Sequence, residues 1–352
     1  RFGGDEFAIV LSDCSNPLRI DSLCRAIFDS LATPFQINGK SVFVGTSIGI
    51  ALYPDHGSTE QELLQQADAA LYQAKAQGRG RFKYFSEELT RDARERIALE
   101  ARLRRAIAQN ELRVYYQPQV DIQSGCITGA EALVRWQHPE EGLIPPGRFI
   151  PMAEETGLID AIGAWVLRET CRQGKAWLDA GLAPLTLAVN VSPHQIRHGD
   201  IAALTAIILA ETDFPPEWLE LELTESALME REGEAVEILQ RIRALGVRLA
   251  LDDFGTGYSS LAYLKRFPLD VLKIDKRFVD DIPHARDDME IAATIVAMGH
   301  TLRFKVLAEG VETEQQLAFL TAQGCDFYQG YLKSPPVPAE DFVKWLEPIS
   351  SN

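Results

Sequence analysis

Two adjacent carboxylates end an apolar run at Leu249–Ser260, LALDDFGTGYSS, where Asp252 and Asp253 follow Leu249-Ala250-Leu251 and precede Gly255 and Gly257. Side by side at the end of a strand, two ionised carboxyls repel, and divalent cations that favour hard oxygen ligands are suited to hold them. A helix N-cap with an ordinary glycine turn accounts for the same residues equally well when they are taken alone. The arrangement recurs, however. Polar residues stand at the same place in seven apolar runs: Glu131 in ITGAEALVRW, Asn190 in LTLAVNVS, Glu222 in LELELTES, the Asp252-Asp253 pair, Lys273 in DVLKIDK, Glu309 in FKVLAEGVE and Gln329 in FYQGY. A cap or a surface charge explains any one of them, but the whole series points to a shared site. Carboxylates and an amide oxygen without His or Cys make a hard-oxygen site, fit for Mg²⁺ or Mn²⁺ rather than zinc. The carboxylates exceed what one ion requires, so two metal ions are expected, clamping a phosphate and activating a water for in-line attack on phosphorus. Lys273 would orient that water, with its proton affinity lowered by the cations.

Such a set needs a scaffold that gathers strand ends. Leu112–Ile122 and Ile127–Trp136 read as strands joined by the short turn Gln123-Ser124-Gly125, hence as an antiparallel hairpin. Strands are then expected at 185–191, 218–224, 247–253, 270–275, 304–309 and 326–329. Helices are expected between them at 159–180, 200–211, 232–245, 259–266, 286–301 and 313–323. This alternation predicts an α/β fold, a TIM-type (β/α)8 barrel with an antiparallel first strand, and in such barrels functional groups collect at the C-terminal ends of the strands.

The segment before it is different. Residues 1–12, RFGGDEFAIVLS, read as strand, Gly-Gly turn and strand, and SVFVGTSIGIALY at 41–53 contains a further strand. Helices are predicted over 17–32 and 61–77. With 81–85 these make a small α+β layer. Residues 86–110, dense in Glu, Arg and Ala, predict a solvated connecting helix.

The 352 residues carry a net charge of −16, which argues against a face for polymeric nucleic acid, while a small anion held through metal ions remains compatible. Five scattered cysteines without a CxxC pair predict reduced thiols and a cytoplasmic chain. No run is long and apolar enough for a membrane span, so no membrane contact is expected of this stretch. The chain starts at Arg1 rather than Met, and a longer parent is expected, with sensors or a membrane anchor before Arg1.

EALVRW, NVS, ELTES, DDFGTGYSSL, LKIDK, AEGVE and QGY occur in the order found in EAL domains, so residues 108–352 resemble a complete EAL domain. The resemblance implies hydrolysis of cyclic di-GMP to linear pGpG with two Mg²⁺ or Mn²⁺ ions. It implies Glu131, Asn190, Glu222 and Asp252 at the first metal, and Asp252, Asp253 and Glu309 at the second. Lys273 and Glu309, with Glu131, would serve the chemistry. Gln117, Arg135, Glu312 and Gln329 would contact or support the substrate, and Glu225 would brace the DDFGTGYSS loop, a segment tied in the family to homodimer contact.

RFGGDEF, TSIGIALYP and ADAALYQAKAQGRGRF resemble the second half of a GGDEF, diguanylate cyclase, domain over residues 1–85. Gly3, Gly4, Asp5, Glu6 and Phe7 carry its signature, and Lys75 and Arg79 would lie near nucleotide phosphates. The family's first metal-binding strand has no counterpart here, so no cyclisation and no GTP control are expected, and the segment is read as a regulatory or dimerisation module. Residues 86–107 would link the two parts. A rival reading of the whole is a cyclic di-GMP receptor without turnover. His194 and His198 have HxxxH spacing but no Glu after the first His, and Pro193 reads as a helix start, so zinc is not expected there. His138 is read as loop packing, Trp165 and Trp177 as helix packing, and the 335–338 proline stretch as a closure over the barrel.

Overall fold

The computed structural model describes residues 1, 3–12, 17–37, 40–85, 99–229, 232–255 and 264–346. It divides into two units, Arg1–Ala101 and Arg102–Asn352.

In the first unit the helix Pro17–Leu31 precedes an antiparallel pair, β1 (Phe35–Ile37) and β2 (Lys40–Val42). A parallel pair follows, β3 (Ile48–Ile50) with β4 (Phe82–Tyr84), and the helix Glu60–Ala76 lies between them in sequence. That helix starts on a capping box, Thr59 with Glu62, which satisfies two amides that a helix start leaves open. Ile20, Cys24 and Ile50 form the unit's core with Phe28, Ile48, Leu52, Phe82 and Tyr84 around them.

Two expectations need correction here. The Gly-Gly turn exists, with Glu6 N donating to Gly3 O at 2.8 Å, but residues 7–12 form no strand. Among the described residues no third strand lies along them, and an isolated hairpin is marginal in water. Phe7, Ile9 and Val10 are accordingly exposed. The single strand expected in 41–53 is two short ones in different sheets, because β2 turns back on β1 while β3 pairs with β4. Of the connecting stretch, 99–108 is helical; 86–98 lie outside the described residues.

The second unit is a closed ring of eight strands. They are β5 (Leu112–Asp121), β6 (Ile127–His138), β8 (Thr186–Val191), β9 (Leu219–Thr224), β10 (Arg248–Phe254), β11 (Val271–Ile274), β12 (Lys305–Ala308) and β13 (Phe327–Gln329). All neighbours are parallel except β5, which runs antiparallel to both β6 and β13. β6 continues past the ring to pair with β7 (Gly142–Ile144), and β14 (Val337–Pro338) adds to β5, so the proline stretch returns the chain to the barrel's first strand. The β6 extension puts Glu131 in mid-strand rather than at a strand end.

The layers follow from apolar strands covered by helices. Leu219, Leu221 and Leu223 alternate with Glu220 and Glu222, all buried, so β9 presents leucines on one face and acids on the other. Helices Leu158–Asp179, Ile201–Thr212, Glu232–Ala244, Arg286–Thr301 and Glu314–Gln323 occupy the expected places. An additional helix, Pro146–Thr156, precedes the first of these; Pro146 stands in its first turn, where the missing N–H costs nothing. The helix expected at 259–266 falls largely outside the described residues. Trp177 stacks on Phe342 at 5.5 Å and meets Tyr116 edge-on at 5.0 Å, an aromatic cluster that ties helix Leu158–Asp179 and the C-terminal turn to β5.

Candidate active site

At the C-terminal ends of the parallel strands the acids converge on one amine. Lys273, near the end of β11, has no solvent exposure. Its Nζ lies 2.7 Å from Glu309 Oε1, 2.8 Å from Glu222 Oε2, 3.3 Å from Asp252 Oδ1 and 4.0 Å from Glu131 Oε2. Strand register explains the gathering. Asn190 of β8 is level with Glu222 of β9, Thr224 with Asp252 of β10, and Gln117 of β5 with Glu131 of β6. Glu309 follows β12 directly, its N–H donating to Ile274 O at 3.1 Å.

Amides complete the floor. Asn190 Nδ2 donates to Glu131 Oε1 at 2.6 Å, and Gln329 Nε2 donates both to Glu131 Oε2 and, at 3.1 Å, to Gln117 Oε1. Gln117 Nε2 in turn donates to Ser334 O at 3.2 Å. Gly330 lets this end of β13 pass close to Val311, whose carbonyl would stand 2.1 Å from any Cβ placed there.

Four carboxylates around one ammonium leave three negative charges uncompensated if all are ionised, and the protonation states reflect that conflict. Burial pushes Glu222 well above the usual carboxylate range against the pull of Lys273, and it pushes Glu309 up to about 8. For Glu131, burial acts the same way but is outweighed by Lys273, Gln329 and Asn190, which hold it low. Burial alone would lower Lys273; Asp252, Glu131, Glu222 and Glu309 reverse this and hold it well above its usual value. That direction is opposite to the lowering expected from cations beside it, since here the neighbours are carboxylates.

Asp253 is pushed up to about 6 by burial and then by Asp252 and Asp275. Its backbone is left-handed, φ +56°, and its N–H donates to Asp252 Oδ1 at 3.0 Å. Asp252, Asp253 and Glu309 each offer a carboxylate oxygen within 4.8 Å of the others'. Glu222 Oε1 is buried without a hydrogen-bond partner among the described residues. Clustered hard oxygens with an orphaned buried one among them fit divalent cations of the Mg²⁺ or Mn²⁺ kind.

The remaining expected residues are distributed around this centre. Arg135 is half-buried, its guanidinium 5.8 Å from the Tyr115 ring and its Nη1 donating to Val134 O. Glu225 is buried at the start of a short helix after β9, and its Oε2 accepts from Gly255 N at 3.3 Å. The rest of the DDFGTGYSS stretch, 256–260, lies outside the described residues. Glu312 is not drawn to the Lys273 cluster: it is half-exposed and pairs with Lys276 Nζ at 2.7 Å, because the Lys276–Phe278 turn places a nearer cation in front of it. His194 lies against His198 with tilted rings and turns its Nδ1 to Asp160 Oδ1 at 3.0 Å, and His138, read as loop packing, accepts the N–H groups of Glu140 and Glu141 in its loop.

Glu220 was not anticipated. It is buried two residues before Glu222, on the same face of β9, and burial pushes it up to about 7. Its phase in the LELEL alternation was the available signal.

The EAL domain family model matches residues 100–336. The chain belongs to the EAL family. A diguanylate cyclase GGDEF domain matches residues 1–81 ahead of the EAL barrel. The chain is similar, at 45% identity over 343 residues, to the bifunctional diguanylate cyclase/cyclic di-GMP phosphodiesterase MucR of Pseudomonas aeruginosa, covering 97% of this chain and 50% of that protein. It is 41% identical over 347 residues to the cyclic di-GMP phosphodiesterase PdeR of Escherichia coli, covering 99% of this chain and 52% of that one. This EAL-containing chain thus spans about half the length of these relatives. A solved structure of the PaMucR phosphodiesterase in complex with c-di-GMP is 47% identical, with a TM-score of 0.68 over 70% of this chain and 99% of that one. Among the described residues no helix is long and apolar enough to cross a membrane.

Proposed function

We propose that the EAL barrel hydrolyses cyclic di-GMP to linear pGpG, with two Mg²⁺ or Mn²⁺ ions. The observation that carries this reading is the ring of Glu131, Glu222, Asp252 and Glu309 around the buried Lys273, at the end of the barrel where relatives of this kind do chemistry. Glu131, Asn190, Glu222 and Asp252 would hold one ion, and Asp252, Asp253 and Glu309 the other. When bound, the ions would neutralise the phosphodiester and make a water acidic enough to attack at neutral pH.

The chain's own groups do the rest. Lys273 Nζ donates to the attacking water and holds its lone pair toward phosphorus. Glu309, at the mouth of the cluster with its side chain 20% exposed, accepts the water's proton. As the new P–O bond forms, the bond from phosphorus to the ribose 3′ oxygen breaks, and that oxygen leaves with a proton from solvent. Arg135, backed by the Tyr115 ring, offers a planar fork to a phosphate or guanine edge. Gln117 and Gln329 present the floor beneath, and Glu312 supports from the rim. Glu225 braces the loop entered at Gly255 and, with it, a homodimer contact. The 1–85 segment acts as a regulatory or dimerisation module joined through 86–107, in a cytoplasmic setting.

Incubation with cyclic di-GMP and Mg²⁺ or Mn²⁺, with products resolved chromatographically beside a Glu131→Ala control, tests the reading. Linear pGpG from the unaltered chain alone supports it. Tight binding without product in excess Mn²⁺ would replace it with the receptor reading.

A further inference from the structure

We infer that Arg277 is a positioning residue for Asp253, acting through Asp275; the inference rests on the reading of this site as a two-metal phosphodiesterase centre. Asp275 lies two residues beyond Lys273, is 7% exposed, and caps the short turn Lys276–Phe278, its Oδ1 accepting from Arg277 N at 2.8 Å. The Arg277 guanidinium grips the same carboxylate with both arms, Nε to Oδ1 at 3.1 Å and Nη2 to Oδ2 at 2.9 Å. The Asp275 carboxylate in turn accepts a hydrogen bond from the protonated carboxyl of Asp253, and faces that group as a second negative charge once Asp253 ionises.

The chain of contacts has a physical purpose. Asp253 holds φ +56°, a left-handed conformation less favourable for a residue with a side chain than for glycine. The carboxyl in contact with it would repel it if left uncompensated and would swing if held by one oxygen. A bidentate fork prevents both, since it neutralises Asp275 and fixes the plane of its carboxylate. Asp253 then keeps a carboxylate oxygen within 4.8 Å of those of Asp252 and Glu309. The neighbouring cation of the same turn, Lys276, reaches instead to Glu312 and Asp280. The assignment is therefore specific to Arg277 and does not extend to positive charge in general.

Two effects of removing Arg277 oppose each other, and their sizes decide the outcome. Loss of a cation near a cation site favours metal binding, but the Arg277 side chain is 67% exposed, so this gain is screened to roughly two- to fivefold. Loss of an outer partner that orients a ligand costs about 10- to 100-fold in metal affinity. Weaker binding at one of two sites is the net expectation.

The experiment is a Mn²⁺ titration of the full 352-residue chain, with free Mn²⁺ read by electron paramagnetic resonance, for the unaltered protein, Arg277→Ala and Arg277→Lys. The expected result is two sites in the unaltered protein and a loss of about tenfold at one of them in Arg277→Ala. Arg277→Lys should recover part of that loss, since a single amine holds one oxygen. Unchanged or tighter binding in Arg277→Ala overturns the inference and leaves the phosphodiesterase reading intact. Equal weakening at both sites with a lowered melting temperature also overturns it, as a merely structural role. Absence of Mn²⁺ binding in the unaltered chain defeats the phosphodiesterase reading itself, and the inference with it.

Discussion

Lys273 Nζ stands 2.8 Å from Glu222 Oε2, and neither side chain has any exposure to solvent. A pair so buried is held less for stability than for what it organises, because desolvation offsets most of the attraction while loss of one partner leaves the other charged and alone. Lys273→Met removes the cation that, among the described residues, Glu131, Glu222, Asp252 and Glu309 share. Hydrolysis should fall about 10²- to 10⁴-fold. The metal-free protein should lose about 3–5 kcal/mol, and saturating Mn²⁺ should narrow that loss by neutralising the same acids. Kinetics with thermal melts in the presence and absence of Mn²⁺ check both; a near-normal rate would remove Lys273 from the chemistry.

Glu131→Gln separates charge from shape. The amide fills the same space, but it meets the amide donors of Asn190 and Gln329 with only one acceptor oxygen in place of two. Turnover should drop at least 100-fold with the far-ultraviolet circular dichroism unchanged, and Mn²⁺ affinity should drop in parallel. Lost turnover with normal metal affinity would show that Glu131 acts elsewhere than on the ion.

Glu225 is expected to act through the backbone it holds. Its Oε2 accepts from Gly255 N, and its Oε1 is buried without a partner among the described residues, so its carboxylate serves a loop rather than a salt bridge. Glu225→Ala should lower kcat roughly tenfold while leaving KM within about twofold, since a displaced loop spoils alignment more than binding. Steady-state kinetics decide it: a change confined to KM would place Glu225 at the substrate.

What could be read ahead was whatever the local pattern carries. Asn190, Glu222 and Lys273 stood out because charged or amide side chains inside apolar strands are rare without partners, and the barrel order followed from the strand-helix rhythm. Contacts that close the site join distant residues: Gln329 reaches Glu131 and Gln117 across about two hundred positions, and strand register alone sets those pairings. The hairpin expected at 1–12 was the opposite case, a good local signal without a neighbouring strand to sustain it among the described residues. Glu312 matched a motif, yet the turn at Lys276 supplies a partner that no spacing announces. Glu220 sits inside β9 rather than at its end, and only its phase with Glu222 in the LELEL alternation marks it as facing the interior.

Glu220 offers the clearest pH signature, because it is buried with no ion pair of its own among the described residues and burial pushes its carboxyl up to about 7 from 4.5. In the unfolded chain it ionises near the lower value, and in the folded chain only near the higher one. Between pH 4.5 and 7 the folded state therefore binds more protons, and its stability falls as pH rises. The stabilisation linked to this group is complete below the lower value and lost once pH passes the upper one. That difference is worth up to roughly 3 kcal/mol. Glu220→Gln, which stays neutral throughout, should remove the share of the slope that Glu220 carries beside Glu222, Glu309 and Asp253, and raise the metal-free melting temperature at pH 8 while changing it little at pH 4.5. Urea unfolding across that pH range measures it directly. An unaltered slope in Glu220→Gln would mean that Glu220 is not the titrating group and that Glu222, Glu309 and Asp253, whose carboxyls are also pushed up by burial, carry the loss.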